Sequence, residues 1–306
     1  MTLRGRDLRF RVRRGVPCRL RAGAGNVPGV RIVVCVKHVP DIQSDRSMGP
    51  DGRMVRDGGD GTINELDENA VEAAVVLAEQ TRDAGGEAEV VVVTVGPDDA
   101  EDAVRRGLQL GADAAVHVVD DAVAGSDVPG TATVLAAVLR RLGEQAPVDL
   151  VVTGMAGLDG LTSLLPAMLA DLLDLPQLTL AAEVTLADGV VTVRRDLDHT
   201  TEVLAAPLPA LVSVTDRSNQ PRYPNFQGIM AARKKPVEQL TLADLGVDPA
   251  AVGTAGARTE VLEAAPRPPR TDRVLVTDDG EAGTRLAAWL VEHELVRTTP
   301  ATGEVL

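Results

Sequence analysis

From Val30 onward, short β-branched apolar runs are separated by longer stretches in which apolar residues recur three or four positions apart. The runs Ile32–Val36, Ala88–Val95, Ala115–Val119, Asp149–Thr153 and Leu211–Thr215 are nearly continuous and do not alternate, which is the pattern of strands buried on both faces. Between them, Asn64–Arg82 places Leu66, Ala70, Val71, Ala74, Leu77 and Ala78 at helical spacing, and Asp98–Leu108 and Gly130–Gly143 repeat that pattern. Strands alternating with such helices predict βαβ units, hence an α/β fold doubly wound about a mostly parallel sheet. After residue 182 the texture changes. Glu183–Leu186 and Val190–Arg194 flank Ala187-Asp188-Gly189, which predicts a β-hairpin. Residues 218–236 read as a loop rich in Pro, Asn and Arg. Beyond Gly246 the pattern predicts an extended C-terminal arm, with Pro266-Arg267-Pro268-Pro269 as a linker and an amphipathic helix from about Asp279 to His293. Such an arm has little core of its own and is expected to pack on this chain or on a partner.

Residues 1–29 carry eight arginines and one aspartate and show neither apolar period. Arg13-Arg14 has no following apolar run or small-residue cleavage site, so a signal peptide is rejected. A disordered basic arm, an organelle transit segment and a start placed too far upstream remain as readings, and the last is preferred because a strand begins at once at Val30. The expected division is therefore an extension over 1–29, an α/β domain over 30–245 and the arm over 246–306.

Composition narrows the function. The net charge of −14 argues against a nucleic-acid partner. No stretch approaches the roughly 18–20 apolar residues of a membrane span, so a cytoplasmic protein without membrane insertion is expected. Two cysteines and four scattered histidines make neither a disulfide framework nor a spaced metal set. The dinucleotide fingerprint, the Walker loop and the nucleophile elbow are all missing, which gives little support for an enzyme. Aromatic residues are scarce: Phe10, Tyr223, Phe226 and Trp289 are the whole set.

Four segments carry candidate chemistry, most of them at predicted strand ends, where open α/β sheets bind ligands. In Cys35–Asp41, Lys37 leaves the strand end and is either a phosphate or carboxylate partner or a solvated lysine. In Thr62–Asp67, Asn64 reads as a helix cap, with Glu65 and Asp67 favouring the positive end of the dipole. In Leu150–Ser163 a strand enters a loop spaced by Gly154, Gly157 and Gly160, with a helix expected to begin near Thr162. Glycines admit a ligand to the backbone, Thr162 and Ser163 offer hydroxyls, and Asp159 offers an acceptor for a ribose; a plain strand–helix turn is the other reading. In Asn219–Met230, Arg222, Tyr223, Phe226, Ile229 and Met230 form either a protein-docking segment or a loop folded on its own core.

With these segments in view, the chain resembles the electron transfer flavoprotein beta subunit family from about Val30 to the C-terminus. The most specific stretch is Val193–Thr215, with Glu202, Pro207 and Pro209 ahead of an apolar strand. Ile32–Pro40, Asn64–Ala74, Gly96-Pro97, Gly111-Ala112-Asp113, Leu175-Pro176-Gln177 and Asn219–Lys235 match in order and spacing. The resemblance implies an adenine nucleotide alpha hydrolase-like fold and a heterodimer with an alpha subunit that holds most of a redox-active FAD. It implies a structural AMP in the beta subunit, touching Cys35, Asn64, Glu65, Leu66, Asp67, Val95 and the Gly154–Leu165 loop. It also implies that Tyr223–Met230 docks on acyl-CoA dehydrogenase-type donors with Phe226 as anchor, that a quinone-linked reductase is the acceptor, and that Asp196 meets the alpha subunit. Asp196 replaces the family's usual glutamate. Ala156, Leu161, Leu164 and Leu165 replace polar residues of the family's phosphate loop, which leaves more of the holding to Thr162, Ser163 and backbone amides. The alternatives carried forward are a bifurcating relative with a second FAD at this site, and a stand-alone adenine-nucleotide-binding regulator.

Overall fold

The computed structural model describes residues 29–56, 59–265, 267–271 and 274–296. The N-terminal extension before Gly29, with Phe10 and Cys18, lies outside the described residues, as does Pro266 of the expected linker. The first strand, β1 (Gly29–Cys35), runs into a short antiparallel pair, β2 (His38–Pro40) and β3 (Gly61–Ile63), which delivers the chain to α1 (Glu65–Asp83). Next come β4 (Glu87–Val95), α2 (Glu101–Leu110), β5 (Ala114–Val118), α3 (Val128–Gln145), β6 (Leu150–Gly154) and α4 (Leu165–Leu173). The chain continues through β7 (Gln177–Ala181), β8 (Glu183–Ala187), β9 (Val190–Asp196), β10 (Thr201–Pro207), β11 (Ala210–Val214), α5 (Phe226–Ala232), β12 (Val237–Leu240) and α6 (Gly253–Gly256).

Seven strands form one parallel sheet in the order β12-β5-β4-β1-β6-β11-β7. The unbroken apolar runs are explained by its two covered faces. Ile32, Val34, Val90, Val92, Leu150 and Val152 join Ala70 and Val71 of α1 and Val104 of α2 in one core layer. Their neighbours Val33, Val91, Val151 and Leu211 join Leu135 and Leu139 of α3 and Leu169 of α4 in the other. Ile32, Val33 and Val34 are all fully buried, so truncating any one of them to Ala is expected to cost about 1–5 kcal/mol. The strand order reverses at β1: the chain builds outward to β4 and β5 on one side, then returns to place β6 on the other. The crevice beyond the carboxyl ends of β1 and β6 is thus the topological switch point of the sheet.

Several elements differ from the sequence expectation. The edge strands β7 and β12 (QLTLA and VEQL) lack an apolar run, since an edge strand has neighbours on one side only. The expected hairpin gains β10 and becomes a three-stranded antiparallel sheet, β10-β9-β8. The helix expected near Thr162 begins at Leu165, because Leu161 and Ser163 adopt left-handed backbone (φ 52° and 49°) and Pro166 favours a helix start where it stands. The 218–236 segment contains α5, whose first turn is capped by the Asn225 side chain accepting from Gly228 N–H at 2.7 Å.

Compact packing also continues past the expected boundary at 245/246. Val252 is fully buried, Gly253 N–H donates to Ser126 Oγ at 2.7 Å, and Arg258 N–H donates to the Asp127 carboxylate at 2.7 Å. One unit therefore runs through Leu262, and the described residues from Glu263 onward belong to a second. Within the second unit, α7 (Ala282–Glu292) carries Trp289, whose ring stacks on His293 with centroids 4.2 Å apart. Among the described residues, no helix is long and apolar enough to cross a membrane.

Candidate functional site

The switch-point crevice collects most of the residues singled out at the strand ends. β1 ends at Cys35, which is buried; burial, with the nearby Asp67 charge, pushes its thiol up to about 12, so it stands there as a neutral thiol. Two residues on, Lys37 N–H donates to Asp67 Oδ2 at 2.8 Å, and Lys37 O accepts from Asn64 N–H at 2.8 Å. The strand end is thereby stitched to the first turn of α1. Asp67 is itself buried, and burial raises its carboxyl to about 7 against the lowering effect of the amides and of Lys37.

Asn64 was expected to cap α1, but its side chain makes no capping hydrogen bond. Its backbone carbonyl accepts from Asp67 and Glu68 N–H, while the fully buried side chain crosses to the loop after β6. There Nδ2 donates to Ala156 O at 2.9 Å, and Oδ1 accepts from Leu158 N–H at 3.0 Å. A carboxamide is the side chain that can do both at once. Gly154 makes the close approach possible: a Cβ there would lie 2.4 Å from Asp67 Oδ1 and 2.9 Å from Leu66 O.

The loop's charged centre is Asp159. Its side chain is fully buried, accepting from Lys37 Nζ at 2.8 Å through Oδ1 and from Arg56 Nε and Nη2, each at 2.7 Å, through Oδ2. Burial opposes its ionisation, but the two cations prevail and hold its carboxyl below the usual range. Arg46 Nη1 adds a 2.6 Å bond to Leu158 O. Two cations share one carboxylate, and both remain 45% exposed, so the crevice keeps a net positive charge next to glycine-flanked backbone. That combination suits a phosphate or another polyanion.

The remaining expected contacts are more scattered. Leu66 is buried and Glu65 is exposed on the outer side of the first turn. Val95 is half-buried at the end of β4, one strand from β1. Gly160, Thr162 and Ser163 are exposed, and Leu161 and Leu164 beside them are 63% and 47% exposed. Arg46 and Arg56 were missed by sequence reasoning, because they fall between β2 and β3 in a stretch of sequence with no apolar period and nothing but their charge to mark them.

In the Asn219–Met230 segment, Tyr223 and Phe226 are 89% and 77% exposed, Met230 is exposed and Ile229 is half-buried. Arg222 turns inward to Glu72 and Glu79 of α1. Asp196, at the end of β9, is held by Arg194 and accepts from Thr201 Oγ1 at 3.1 Å; the Arg194 hydrogen bond keeps its carboxyl below the usual range.

A sequence profile described as "Electron transfer flavoprotein domain" matches residues 51–245. The chain is 41% identical over 266 residues to "Electron transfer flavoprotein subunit beta" of Mycobacterium tuberculosis, covering 87% of this chain and 99% of that one. It is 40% identical over 266 residues to the protein of the same name from Mycobacterium leprae, with the same coverage. It is 32% identical over 269 residues to "Caffeyl-CoA reductase-Etf complex subunit CarD" of Acetobacterium woodii, covering 87% of this chain and 100% of that one. Near-complete alignment to relatives of this kind, on a doubly wound sheet, places the chain in the electron transfer flavoprotein beta subunit family.

Proposed function

We propose that this chain is the beta subunit of a cytoplasmic heterodimeric electron carrier, doing no chemistry of its own. An alpha subunit holds most of an FAD, which when bound supplies the redox chemistry. Acyl-CoA dehydrogenase-type donors and a quinone-linked reductase stand on either side of it. In this reading the switch-point crevice takes a structural AMP, and the Tyr223–Met230 segment finds the donor. The second unit serves as an arm on the alpha subunit.

The observation that carries the nucleotide assignment is the Lys37–Asp159–Arg56 cluster beside Gly154 and Gly157. Its donor set fits a phosphate: two half-exposed cations are oriented by one buried carboxylate, and small residues keep the backbone open. Lys37, Arg56, Thr162, Ser163 and the loop amides would hold the phosphate. Asn64 and Asp67 would shape the loop from below. A nucleotide bound only by the native state stiffens the fold by mass action.

The test is co-expression with a candidate alpha-subunit gene from the same genome, followed by denaturation and a count of released FAD and AMP per heterodimer. One of each supports this reading. Two FADs would replace it with a bifurcating carrier, a second reading that has the similarity to the CarD subunit behind it. Nucleotide retained by the chain alone, without a complex, would replace it with a stand-alone regulator.

A further inference from the structure

The exposed aromatic segment is tied down at both ends by side chains from two neighbouring helices. At its start, Asn219 and Asn69 of α1 bond reciprocally: Asn69 Nδ2 donates to Asn219 O at 2.9 Å, and Asn219 Nδ2 donates to Asn69 O at 2.9 Å. At its end, Arg105 Nη1 of α2 donates to Lys235 O at 2.7 Å, and Lys235 Nζ donates to Ala112 O at 2.5 Å. Between these anchors lies Arg222. Its Nε and Nη2 donate to Glu72 at 2.7 and 3.0 Å, and its Nη1 and Nη2 donate to Glu79 at 2.6 and 2.9 Å. Its backbone N–H donates to Glu72 Oε2 at 3.1 Å.

Asn69, Glu72 and Glu79 fall on one face of α1, the last two being two turns apart. A planar guanidinium can span two carboxylates so placed and fix its own orientation in doing so; a lysine ammonium cannot. The residue immediately after this fork is Tyr223, and Phe226 follows at the start of α5. The start of the same helix reaches the loop after β6 through Asn64 and the chain leaving β1 through Asp67.

We propose that Arg222 is a positioning residue: its fork to Glu72 and Glu79 fixes Tyr223 and Phe226 on α1 and so sets the productive encounter with the electron donor. The segment's position is thereby registered to the helix that also shapes the nucleotide crevice. This rests on the docking reading of Tyr223–Met230, and the experiment separates the two.

The heterdimer with its alpha subunit is prepared as wild type, R222Q, R222K and F226A. Each is assayed with an acyl-CoA dehydrogenase reduced by octanoyl-CoA, and cleavage by chymotrypsin after Phe226 is followed by mass for all but F226A. In R222Q, cleavage is expected to speed up and KM for the heterodimer to rise, each about tenfold, with kcat and FAD content unchanged. R222K keeps the charge without the fork and is expected to fall between wild type and R222Q on both readouts, which also guards against a folding defect in R222Q. F226A is expected to raise KM. Wild-type cleavage rates in both Arg222 variants overturn the positioning role, whatever KM does. Faster cleavage in the Arg222 variants, with KM unchanged both in them and in F226A, overturns the docking reading and, with it, the functional half of the proposal. A fall in melting temperature with neither KM nor cleavage altered would make Arg222 a purely structural residue and likewise overturn it.

Discussion

Asn64 and Ala156, 92 residues apart in sequence, are joined by a 2.9 Å hydrogen bond from a fully buried carboxamide to a backbone carbonyl. The bond turns a residue placed like a helix cap into a bridge between α1 and the loop after β6. The two roles predict opposite results for one substitution. A capping position accepts Asp about as well as Asn. A bridge does not, because a carboxylate can still accept from Leu158 N–H but has nothing to donate to Ala156 O. Asn64→Asp is therefore expected to destabilise the chain by about 1–3 kcal/mol in urea unfolding and to lower its nucleotide content. Unchanged stability would return Asn64 to the role of a cap.

Asp67 predicts a pH dependence of unusual sign for a carboxylate. Burial raises its folded value to about 7, whereas an unfolded aspartate titrates near 4. Between those values the folded chain holds one proton more than the unfolded chain, so this group's contribution is greatest below about pH 4 and is lost as pH rises toward 7. The slope is at most about 1.4 kcal/mol per pH unit. Asp67→Asn keeps an acceptor for Lys37 N–H but does not ionise. Its stability relative to wild type is expected to improve between pH 5 and pH 8, measured by urea unfolding at both; parallel curves would remove Asp67 as the source.

Asp159 has the opposite sign. Lys37 and Arg56 overcome the effect of burial and depress its folded value, so its contribution is present above the unfolded value near 4 and is lost as pH falls through the folded one. Asp159→Asn leaves both cations without their carboxylate. Because those cations are half-exposed, the expected loss is about 1–3 kcal/mol rather than the larger cost of a fully buried charge. Melting temperature and nucleotide content should fall together. A rise in nucleotide content would show that Lys37 and Arg56 bind phosphate better when Asp159 does not compete.

These contrasts show what a linear reading can reach. The strands β1, β4, β5, β6 and β11 were legible because burial on both faces forces continuous apolar runs. The edge strands β7 and β12 were not, since Gln177, Thr179, Glu238 and Gln239 face fewer neighbours and leave no run. Gly154, Gly157 and Asp159 were legible as a loop at a strand end. Their partners Arg46 and Arg56 were not, because the contact closes across about 100 residues and no local period encodes it. For Arg222, the residue type and the segment could be read, but its direction could not. Only the placement of Glu72 and Glu79 on one helix face turns it inward.

The glycines of the loop give the sharpest steric comparison. A Cβ at Gly154 would sit 2.4 Å from Asp67 Oδ1 and 2.9 Å from the Leu66 carbonyl carbon and oxygen. Backbone is among the obstructing atoms, so the first turn of α1 would have to move, carrying Asn64 and Asp67 with it. At Gly157 the obstructing atoms are Asp159 Oδ1 at 3.0 Å and Lys37 Cδ at 3.1 Å. The lysine stem is flexible and can give way, although the ion pair it makes would shift. Gly154→Ala is thus expected to cost about 1–3 kcal/mol and to lose nucleotide. Gly157→Ala should cost less than half of that while still weakening nucleotide retention, because it disturbs Lys37 and Asp159 without moving α1. Thermal melts and nucleotide counts on the two variants check the ordering. Equal stability losses would mean that the loop, and not the helix turn, absorbs both side chains.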